Sequence, residues 1–363
     1  MSTVTTPAQR TAPATRPGEP VLSLRDLHVE YFTDAGVVKA VNGISFDLMP
    51  GEKLGLVGES GSGKSTMALA LMRMIQKPGR ISGGQLLLNG VDLVKLSERE
   101  MREVRSSQIS MIPQGAMNSL NPVMRIEDQI IDTLEDHAKK RMSQKALRDK
   151  ARSSLESVGL ERGVGRRFPH ELSGGMKQRA CIAIAVAMEP MVVIADEPTS
   201  ALDVVVQRQV MDTILRLQQE LGVAVILIGH DMGLMAQSVD RLAVIYAGKV
   251  AELSPIKPIF GEPLHPYSEL LIESLPKLEA RGTFHGIPGL PPSLKNLPDG
   301  CLFHPRCPRA MDICREVTPR YNETRPNRFV SCHLHDDAVD TEHAAKAVSE
   351  TVLREQAVLP KGA

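Results

Sequence analysis

The order of apolar and polar positions predicts strands that alternate with helices. Leu22, Leu24, Leu27 and Val29 alternate with polar residues, which is typical of a half-buried strand ending at Tyr31. Further strand-like runs lie at 37–41, 43–48, 52–57, 85–88, 107–112, 192–195, 223–228, 242–247 and 249–252. Helical patterns lie at 67–75, 97–105, 172–188 and 204–221. Because strands and helices interleave, we predict a parallel sheet with helices on both faces.

The same patterning divides the chain into regions. Residues 1–19 are rich in Thr, Ala and Pro without periodicity, which predicts a disordered tail. In the domain that we place at 20–264, strand signals give way to charged helical segments at about 116–175, which predicts a helical subdomain. Proline, glycine and four of the five cysteines concentrate in a carboxy-terminal extension at 265–337, and a second tail is expected at 338–363.

Composition and charge exclude several classes of protein. Lys plus Arg and Asp plus Glu both number 43, so the chain lacks the basic excess of most nucleic-acid-binding proteins. No apolar run approaches the roughly 20 residues that cross a bilayer, and no secretory signal is visible near the amino terminus. We therefore expect a cytosolic protein, which leaves open a surface that docks to membrane proteins.

A phosphate-binding loop lies between a predicted strand and a predicted helix. The run Gly58-Glu59-Ser60-Gly61-Ser62-Gly63-Lys64-Ser65-Thr66 has the form G-x-x-x-x-G-K-[ST]. Its glycines let backbone N–H groups converge on phosphate oxygens, while the following helix start and Lys64 add positive charge. Ser65 would place its hydroxyl on Mg²⁺. We predict a nucleoside triphosphate site at Gly58, Ser60, Gly61, Gly63, Lys64, Ser65 and Thr66.

Two acidic residues end the apolar run 191–195. Asp196 at the carboxyl end of a buried strand would bind Mg²⁺ through its water shell. Glu197 would then orient the attacking water or take its proton. The alternative is an ordinary strand that ends in solvated acids, but the phosphate-binding loop upstream favours the catalytic interpretation.

A second anion-binding helix start follows Leu172. Ser173, Gly174 and Gly175 combine a capping serine with two glycines at a helix N-terminus. One subunit cannot readily bring two such helix ends onto the same γ-phosphate, so we predict a head-to-tail pair with nucleotide between the subunits. In this Leu-Ser-Gly-Gly run the chain resembles the ATP-binding cassette (ABC) family. Met176 stands where that family most often has Gln.

The resemblance covers about residues 21–260, and it implies further roles. Gln114 matches the glutamine that senses Mg²⁺ and water, Asp203 in Ser200-Ala201-Leu202-Asp203 matches the loop that crosses the dimer interface, and His230 matches the switch histidine on the γ-phosphate. Tyr31 matches the aromatic residue that stacks on adenine, although Phe32 could serve instead.

The fold that the resemblance implies is an α/β P-loop ATPase core with a parallel sheet and an antiparallel β subdomain. A helical subdomain and the small cysteine-rich extension complete it. Two ATP molecules would join two such cassettes, and hydrolysis would let them part. Lys64, Mg²⁺ and the Ser173 helix end would stabilise the charge on the transferring phosphoryl group.

Cys301, Cys307, Cys314 and Cys332 form a C-x5-C-x6-C-x17-C pattern in a proline-containing segment. Cytosolic thiols seldom form structural disulfides, so a metal is the expected source of stability. The C-x2–4-C pairs typical of zinc are absent, and the spacing suits a [4Fe–4S] cluster at least as well. Zinc and unligated thiols remain alternatives. Cys181, in an apolar helix, is expected to be a core residue.

The extension narrows the resemblance to the ATPases of oligopeptide, dipeptide and nickel importers. The motifs that carry it are Leu264-His265-Pro266-Tyr267 followed by Leu270-Leu271, then Gly289-Leu290-Pro291-Pro292, then the four cysteines. Some members of that subfamily carry an iron–sulfur cluster there. The resemblance therefore implies a [4Fe–4S] cluster on Cys301, Cys307, Cys314 and Cys332.

The leading hypothesis is the ATP-hydrolysing subunit of an importer for peptides, on the cytoplasmic face of the inner membrane. Its implied partners are a homologous second ATP-binding subunit, two transmembrane permease subunits and an extracytoplasmic solute-binding protein, with no nucleic acid. Nickel chelates and oligosaccharides are alternative solutes. A soluble ABC ATPase of DNA repair or translation is less favoured, because the 114–172 segment is too short for a coiled coil and the chain has one cassette. A redox regulator that uses the cassette only as a scaffold is a further alternative, but the presence of Glu197 and His230 argues against it. An exporter subunit is another alternative, and the carboxy-terminal extension argues against it.

Overall fold

Two β-sheets and the helices around them form the part of the chain that the computed structural model describes, residues 18–115, 118–137, 142–200, 202–275 and 286–336. Residues 1–17 and 338–363 of the predicted tails lie outside these ranges, as does Ala201. The strands are β1 Leu22–Thr33, β2 Gly36–Leu48, β3 Lys53–Val57, β4 Gly79–Leu88, β5 Val91–Asp92, β6 Ile109–Ile112, β7 Val192–Asp196, β8 Ala224–Ile228, β9 Arg241–Tyr246, β10 Lys249–Pro255, β11 Asn322–Arg325 and β12 Arg328–Val330. The helices are α1 Lys64–Leu71, α2 Glu98–Val104, α3 Ile126–His137, α4 Gln144–Ser157, α5 Gly174–Val186, α6 Val204–Leu221, α7 Met232–Ser238, α8 Ile256–Gly261, α9 Pro266–Glu273 and α10 Ile313–Glu316.

The larger sheet has the strand order β11-β12-β10-β9-β3-β8-β7-β6. Its centre is parallel, with β3 between β9 and β8, and with β7 between β8 and β6. Alternate residues of β7 and β8 are buried on opposite faces, since Val193 and Leu227 belong to one apolar core and Ile194 and Ile226 to the other. The predicted α/β core with a sheet covered on both faces is confirmed.

One edge of this sheet differs from the parallel arrangement that we predicted. Only Ala247 and Gly248 separate β9 from β10, and both have positive φ, +47° and +80°. A two-residue connection cannot cross back over a sheet, so β10 runs antiparallel to β9 as a hairpin. The antiparallel strands β12 and β11 then extend the same edge.

The smaller sheet is antiparallel, in the order β2-β1-β4-β5. The two predicted strands at 37–41 and 43–48 form the single strand β2, which pairs with β1 through register shifts near Leu27 and Val29. Helix α1 lies between the sheets, and Met67 and Leu71 are buried in the core that they share. The expected antiparallel β subdomain is confirmed.

Helices α3 and α4 account for the predicted helical subdomain. Each has one apolar face, with Ile126, Ile130 and Leu134 buried on α3, and Leu147 and Leu155 buried on α4. The short turns Arg162–Arg166 and Pro169–Glu171 lead from α4 to α5. Within the described ranges, none of the helices combines the length and hydrophobicity that a bilayer crossing requires.

The extension is built onto the larger sheet through a buried carboxylate. Glu252 of β10 is fully buried, and its carboxylate accepts hydrogen bonds from the N–H groups of Leu264 at 3.0 Å and His265 at 2.9 Å. The Arg328 guanidinium of β12 lies 3.4 Å from the same carboxylate. The predicted boundary at Leu264 therefore falls at a turn that is bonded to the sheet, and the division of the chain into domains stays a prediction.

We expect Glu252→Ala to lower the free energy of unfolding by about 3 kcal/mol, because it leaves two buried N–H groups without an acceptor and a buried guanidinium without its buried carboxylate partner. Urea denaturation of the nucleotide-free chain measures the change. The control is Arg325→Ala, which removes an exposed ion pair between Arg325 and Glu262 and should leave the midpoint nearly unchanged. Equal midpoints for the two variants would contradict this role of Glu252.

Candidate functional site

The phosphate-binding loop between β3 and α1 is shaped by close backbone contacts. Gly58, Gly61 and Gly63 have φ of +151°, +76° and +102°, which residues with a side chain rarely adopt. A Cβ atom on Gly58 would lie 2.1 Å from the Ile245 carbonyl oxygen, and one on Gly63 would lie 2.1 Å from the Ala40 carbonyl oxygen. Only glycine fits at these two positions.

Lys64 is buried at the first position of α1, inside the concave face of the loop. Its Nζ donates to the carbonyl oxygens of Gly58 at 2.8 Å and Glu59 at 2.9 Å, and it lies 3.3 Å from Ser62 Oγ. Burial lowers the pKa of Lys64, and the carboxylates of Glu197, Asp196 and Glu59 oppose that shift. The carbonyl oxygens of Gly58 and Glu59 thus hold the ammonium group against the backbone of the loop.

Asp196 ends β7 beside the first turn of α1. Its Oδ1 accepts a hydrogen bond from Ser65 Oγ at 3.3 Å, and the side chain is almost fully buried. Burial raises the pKa of Asp196, and the Glu197 charge raises it further, against the Ser65 hydrogen bond and the Lys64 charge. A carboxylate and a hydroxyl held together in this way are ligands that suit Mg²⁺.

Glu197 has a strained backbone conformation, with φ of +44°. Its N–H donates to the Ile228 carbonyl oxygen at 2.9 Å, which fixes the residue between β7 and β8. The side chain accepts a hydrogen bond from Gln114 Nε2 at 2.8 Å, and His230 Nδ1 lies 3.7 Å from the other carboxylate oxygen. Gln114 and the segment that contains Ile228 and His230 thus fix the position of Glu197.

These residues surround a cavity of about 560 Å³. The predicted residues that line it are Tyr31, Gly58, Ser60, Gly61, Gly63, Lys64, Ser65, Thr66, Gln114, Glu197 and His230. Phe32, the alternative to Tyr31, instead packs under the Arg80 guanidinium, 4.2 Å from the ring centroid. The structure therefore brings most of the predicted nucleotide residues to one concave surface.

The second predicted anion-binding segment belongs to a different surface. Ser173 caps α5 and accepts a hydrogen bond from the Met176 N–H at 3.4 Å, while Asp203 caps α6 and accepts from the Val206 N–H at 3.0 Å. A Cβ atom on Gly175 would lie 2.6 Å from Val206, so the two helix starts pack closely. Ser173, Gly174, Gly175 and Asp203 are not among the described residues that line the cavity.

The four cysteines of the extension lie within electrostatic reach of one another. Burial raises the pKa of all four thiols, to about 11 for Cys307 and about 12 for Cys332, and the pKa of Cys332 is raised further by Cys301, Cys307 and Cys314. Within the described ranges, however, no three His, Cys, Asp or Glu side chains are arranged to hold a metal ion. The geometry therefore gives the predicted [4Fe–4S] cluster no support. Cys181 is buried in α5 as expected.

Sequence reasoning assigned no role to several residues that touch the loop. Leu294 of the extension lines the cavity, and the Lys39 N–H donates to its carbonyl oxygen at 3.1 Å. Arg306 and Tyr267, also from the extension, bond to Glu59 within the phosphate-binding loop. The loop motif leaves position 59 unspecified, so nothing in the motif pointed to these contacts. Tyr267 lies in the Leu264-His265-Pro266-Tyr267 motif, which indicated the subfamily but no function for this side chain.

Comparisons with known proteins agree with this geometry. A model of the ABC transporter family matches residues 41–200, and one of the oligopeptide/dipeptide transporter C-terminal region matches residues 251–314. The dipeptide transport ATP-binding protein DppD of Bacillus subtilis (strain 168) is 43% identical over 330 residues, which are 90% of this chain and 97% of that protein. The oligopeptide transport ATP-binding protein OppD of Escherichia coli (strain K12) is 44% identical over 322 residues, 88% of this chain and 94% of that protein.

Solved structures show the same cassette fold. A dimeric ATP-binding cassette in a post-hydrolysis state, bound to ADP and Pi, superposes with a TM-score of 0.59 at 25% identity and covers 65% of this chain and 98% of that one. The phosphate-binding loop and the Leu172–Gly175 run agree with the cassette match, and the extension agrees with the second family model. The chain therefore belongs to the ATP-binding subunits of the oligopeptide/dipeptide family of ABC transporters.

Proposed function

We propose that this chain binds and hydrolyses ATP to power the import of peptides across the cytoplasmic membrane. The observation that carries the proposal is the convergence of Lys64, Ser65, Gln114 and Glu197 on one cavity of nucleotide size. The peptide substrate is inferred from relatives that are named as dipeptide and oligopeptide transport proteins. Nickel chelates and oligosaccharides are the alternative solutes.

The catalytic roles follow from where each side chain is held. Backbone N–H groups of Gly58–Thr66 and the Lys64 ammonium would bind the phosphates, while Tyr31 would pack on the adenine. Ser65, Asp196 and Gln114 would hold Mg²⁺, which supplies positive charge to the phosphate oxygens when it is bound. Glu197 would accept the proton of the attacking water, and His230 would donate a hydrogen bond to the γ-phosphate.

The nucleotide is inferred to be shared between two subunits. Two helix starts lie away from the described lining of the chain's own cavity. They are the start of α5 at Ser173, Gly174 and Gly175, and the start of α6 at Asp203. Next to them, Val204 and Val205 expose 80% and 67% of their surface, which is unusual for apolar residues at a helix start and typical of a contact surface. These residues would meet the nucleotide bound by the homologous second ATP-binding subunit.

The assembly that we propose also contains two transmembrane permease subunits and an extracytoplasmic solute-binding protein. The chain would lie peripherally on the cytoplasmic face of the membrane, where the subdomain of α3 and α4 would contact a permease subunit. Support comes from the relatives, which are named as transport ATP-binding proteins and which this chain matches over nearly their whole length.

We expect Glu197→Gln to lower phosphate release at least 100-fold while ATP-dependent pairing of the subunits is preserved, because the amide cannot accept the proton but still fills the site. Phosphate release and size-exclusion chromatography with ATP or ADP measure the two properties. Glu189→Gln, an exposed position before β7, is the matched control. Wild-type turnover in Glu197→Gln would refute the assignment.

We expect Asp196→Asn to abolish Mg²⁺-dependent hydrolysis but to raise the thermal midpoint of the nucleotide-free and Mg²⁺-free chain at pH 7. The pKa of Asp196 is raised in the folded state, so its charged form opposes folding above that pKa, and the neutral amide removes this penalty. The gain should shrink as the pH falls through the raised pKa of Asp196 and be lost below the ordinary pKa of an aspartate. Calorimetry measures it, and Asp212→Asn, exposed on α6, is the control. A lowered midpoint at pH 7 would contradict the prediction.

We also propose that Cys301, Cys307, Cys314 and Cys332 bind a [4Fe–4S] cluster, with zinc as the alternative. The proposal is supported by the spacing of the four cysteines in the proline-containing extension, and it requires the sulfur atoms to converge further than the structure shows.

Anaerobically purified chain should then contain about four iron atoms and absorb broadly in the visible range. Cys307→Ser should lose the iron, whereas Cys181→Ser should retain it. Elemental analysis measures both metals, and stoichiometric zinc without iron, or neither metal, would refute the cluster.

A further inference from the structure

Two residues of the extension, Arg306 and Tyr267, form hydrogen bonds to Glu59 of the phosphate-binding loop. We propose that Arg306, assisted by Tyr267, is a positioning residue of the nucleotide site, which fixes the loop through Glu59 so that it is ordered before ATP arrives. This inference rests on the proposed ATPase function, and it adds a determinant of nucleotide affinity that lies outside the cassette motifs.

Glu59 and Arg306 form a bidentate ion pair. Arg306 Nη1 donates to Glu59 Oε2 at 2.6 Å, and Nη2 donates to Oε1 at 2.9 Å. The Arg306 side chain is 4% exposed and that of Glu59 is 26% exposed. Paired N–H···O bonds of a partly desolvated guanidinium fix orientation as well as distance, so this pair differs from the exposed ion pairs of the surface.

Arg306 is itself anchored to the extension. Its Nε donates to the Pro288 carbonyl oxygen at 2.8 Å, and Nη2 lies 3.4 Å from the Gly289 carbonyl oxygen. The guanidinium also faces the Tyr246 ring, 5.8 Å from its centroid. These contacts hold the guanidinium in place opposite Glu59.

Tyr267 holds the backbone of the same loop residue. The Glu59 N–H donates to Tyr267 Oη at 2.9 Å, and Tyr267 is fully buried against Tyr246 and Phe303, with ring centroids 4.6 and 5.3 Å away. Burial lowers the pKa of the neighbouring His265 to about 3, so its neutral Nδ1 accepts the Tyr267 N–H at 3.0 Å. The tyrosine is thus fixed at both ends.

Lys64 completes the set of contacts on Glu59. Its ammonium group bonds to the Glu59 carbonyl oxygen at 2.9 Å, so the three polar groups of this residue are each held. The residue that the extension orients on one side is therefore the residue whose carbonyl oxygen contacts the phosphate-binding lysine on the other. A loop restrained in this way loses less conformational freedom when it closes around phosphates, which favours binding.

The test compares Arg306→Gln, Glu59→Gln, the double variant and Tyr267→Phe in the full chain. We expect each of the first two to raise the Kd for ATP about tenfold, measured by competition with a fluorescent ATP analogue, and Tyr267→Phe about threefold. Because both glutamine variants remove the same interaction, the double variant should resemble either single one. The KM for ATP should rise similarly, with kcat within about twofold of the wild type.

Arg325→Ala is the matched control, since it breaks another bidentate pair between the extension and the cassette that does not touch the loop. It should bind ATP as the wild type does. The proposal would be overturned by wild-type affinity in Arg306→Gln, by multiplying effects in the double variant, or by a change confined to kcat. If Arg306→Gln does not fold, Glu59→Gln and Tyr267→Phe decide by the same criterion.

The outcome for the wild-type chain separates this inference from the proposed function. A wild-type chain that neither binds nor hydrolyses ATP would refute the function itself. A wild-type chain that binds ATP, with variants that bind equally well, would refute only the positioning role of Arg306.

Discussion

The nucleotide cavity depends on a close backbone contact at the junction of the two sheets. The loop between β3 and α1 is wedged between the Ile245 carbonyl of β9 and the Ala40 carbonyl of β2, with no room for a Cβ on Gly58 or Gly63. The same junction is tied by Gly248, whose N–H donates to the Ser62 carbonyl oxygen and whose carbonyl oxygen accepts from the Asn42 N–H. Because a backbone cradle must have its N–H groups oriented in advance, the packing of the sheets is also what shapes the site.

Within this cradle, opposite charges are held out of water at a cost. Burial lowers the pKa of Lys64 and raises that of Asp196, so both groups are less favourable as ions than they would be in water. The attraction between Lys64 and Asp196 offsets part of that cost. The strained φ of Glu197 is a further cost to stability. A binding site that is arranged before its ligand arrives commonly lowers the stability of the folded protein in this way. Bound phosphate and Mg²⁺ would supply the charges that compensate for the buried ions.

The parts of the site that could be predicted from the sequence are those with local chemical signatures. Glycines before Lys64 and an acidic pair after an apolar strand each specify a structure within a few residues. The direction of β10 could also have been derived, since a two-residue connection permits only a hairpin, but the alternation of strands and helices favoured a parallel assignment.

What the sequence could not predict are contacts between distant residues of ordinary type. Glu59 and Arg306 are 247 positions apart, and neither lies in a periodic pattern that would orient its side chain. The four cysteines illustrate the same limit, because spacing shows that they can gather but not how their sulfur atoms are directed. The boundary between the cassette and the extension was predicted from proline and cysteine content. Such content describes a segment, but it does not show which other segments that segment packs against.

The extension is bound to the cassette at two buried or partly buried carboxylates and through an apolar core. Two cassette carboxylates, Glu252 in the sheet and Glu59 in the phosphate-binding loop, are each paired with an arginine of the extension, Arg328 and Arg306. Phe303 of the extension packs edge-on to Tyr246 of β9 at 5.1 Å and completes the apolar core on that side. A chain that ended near residue 264 would expose this core and leave a buried carboxylate without its guanidinium, which costs more than breaking a surface contact. The described part of the extension is therefore a structural continuation of the cassette, and the sheet and the loop both depend on it.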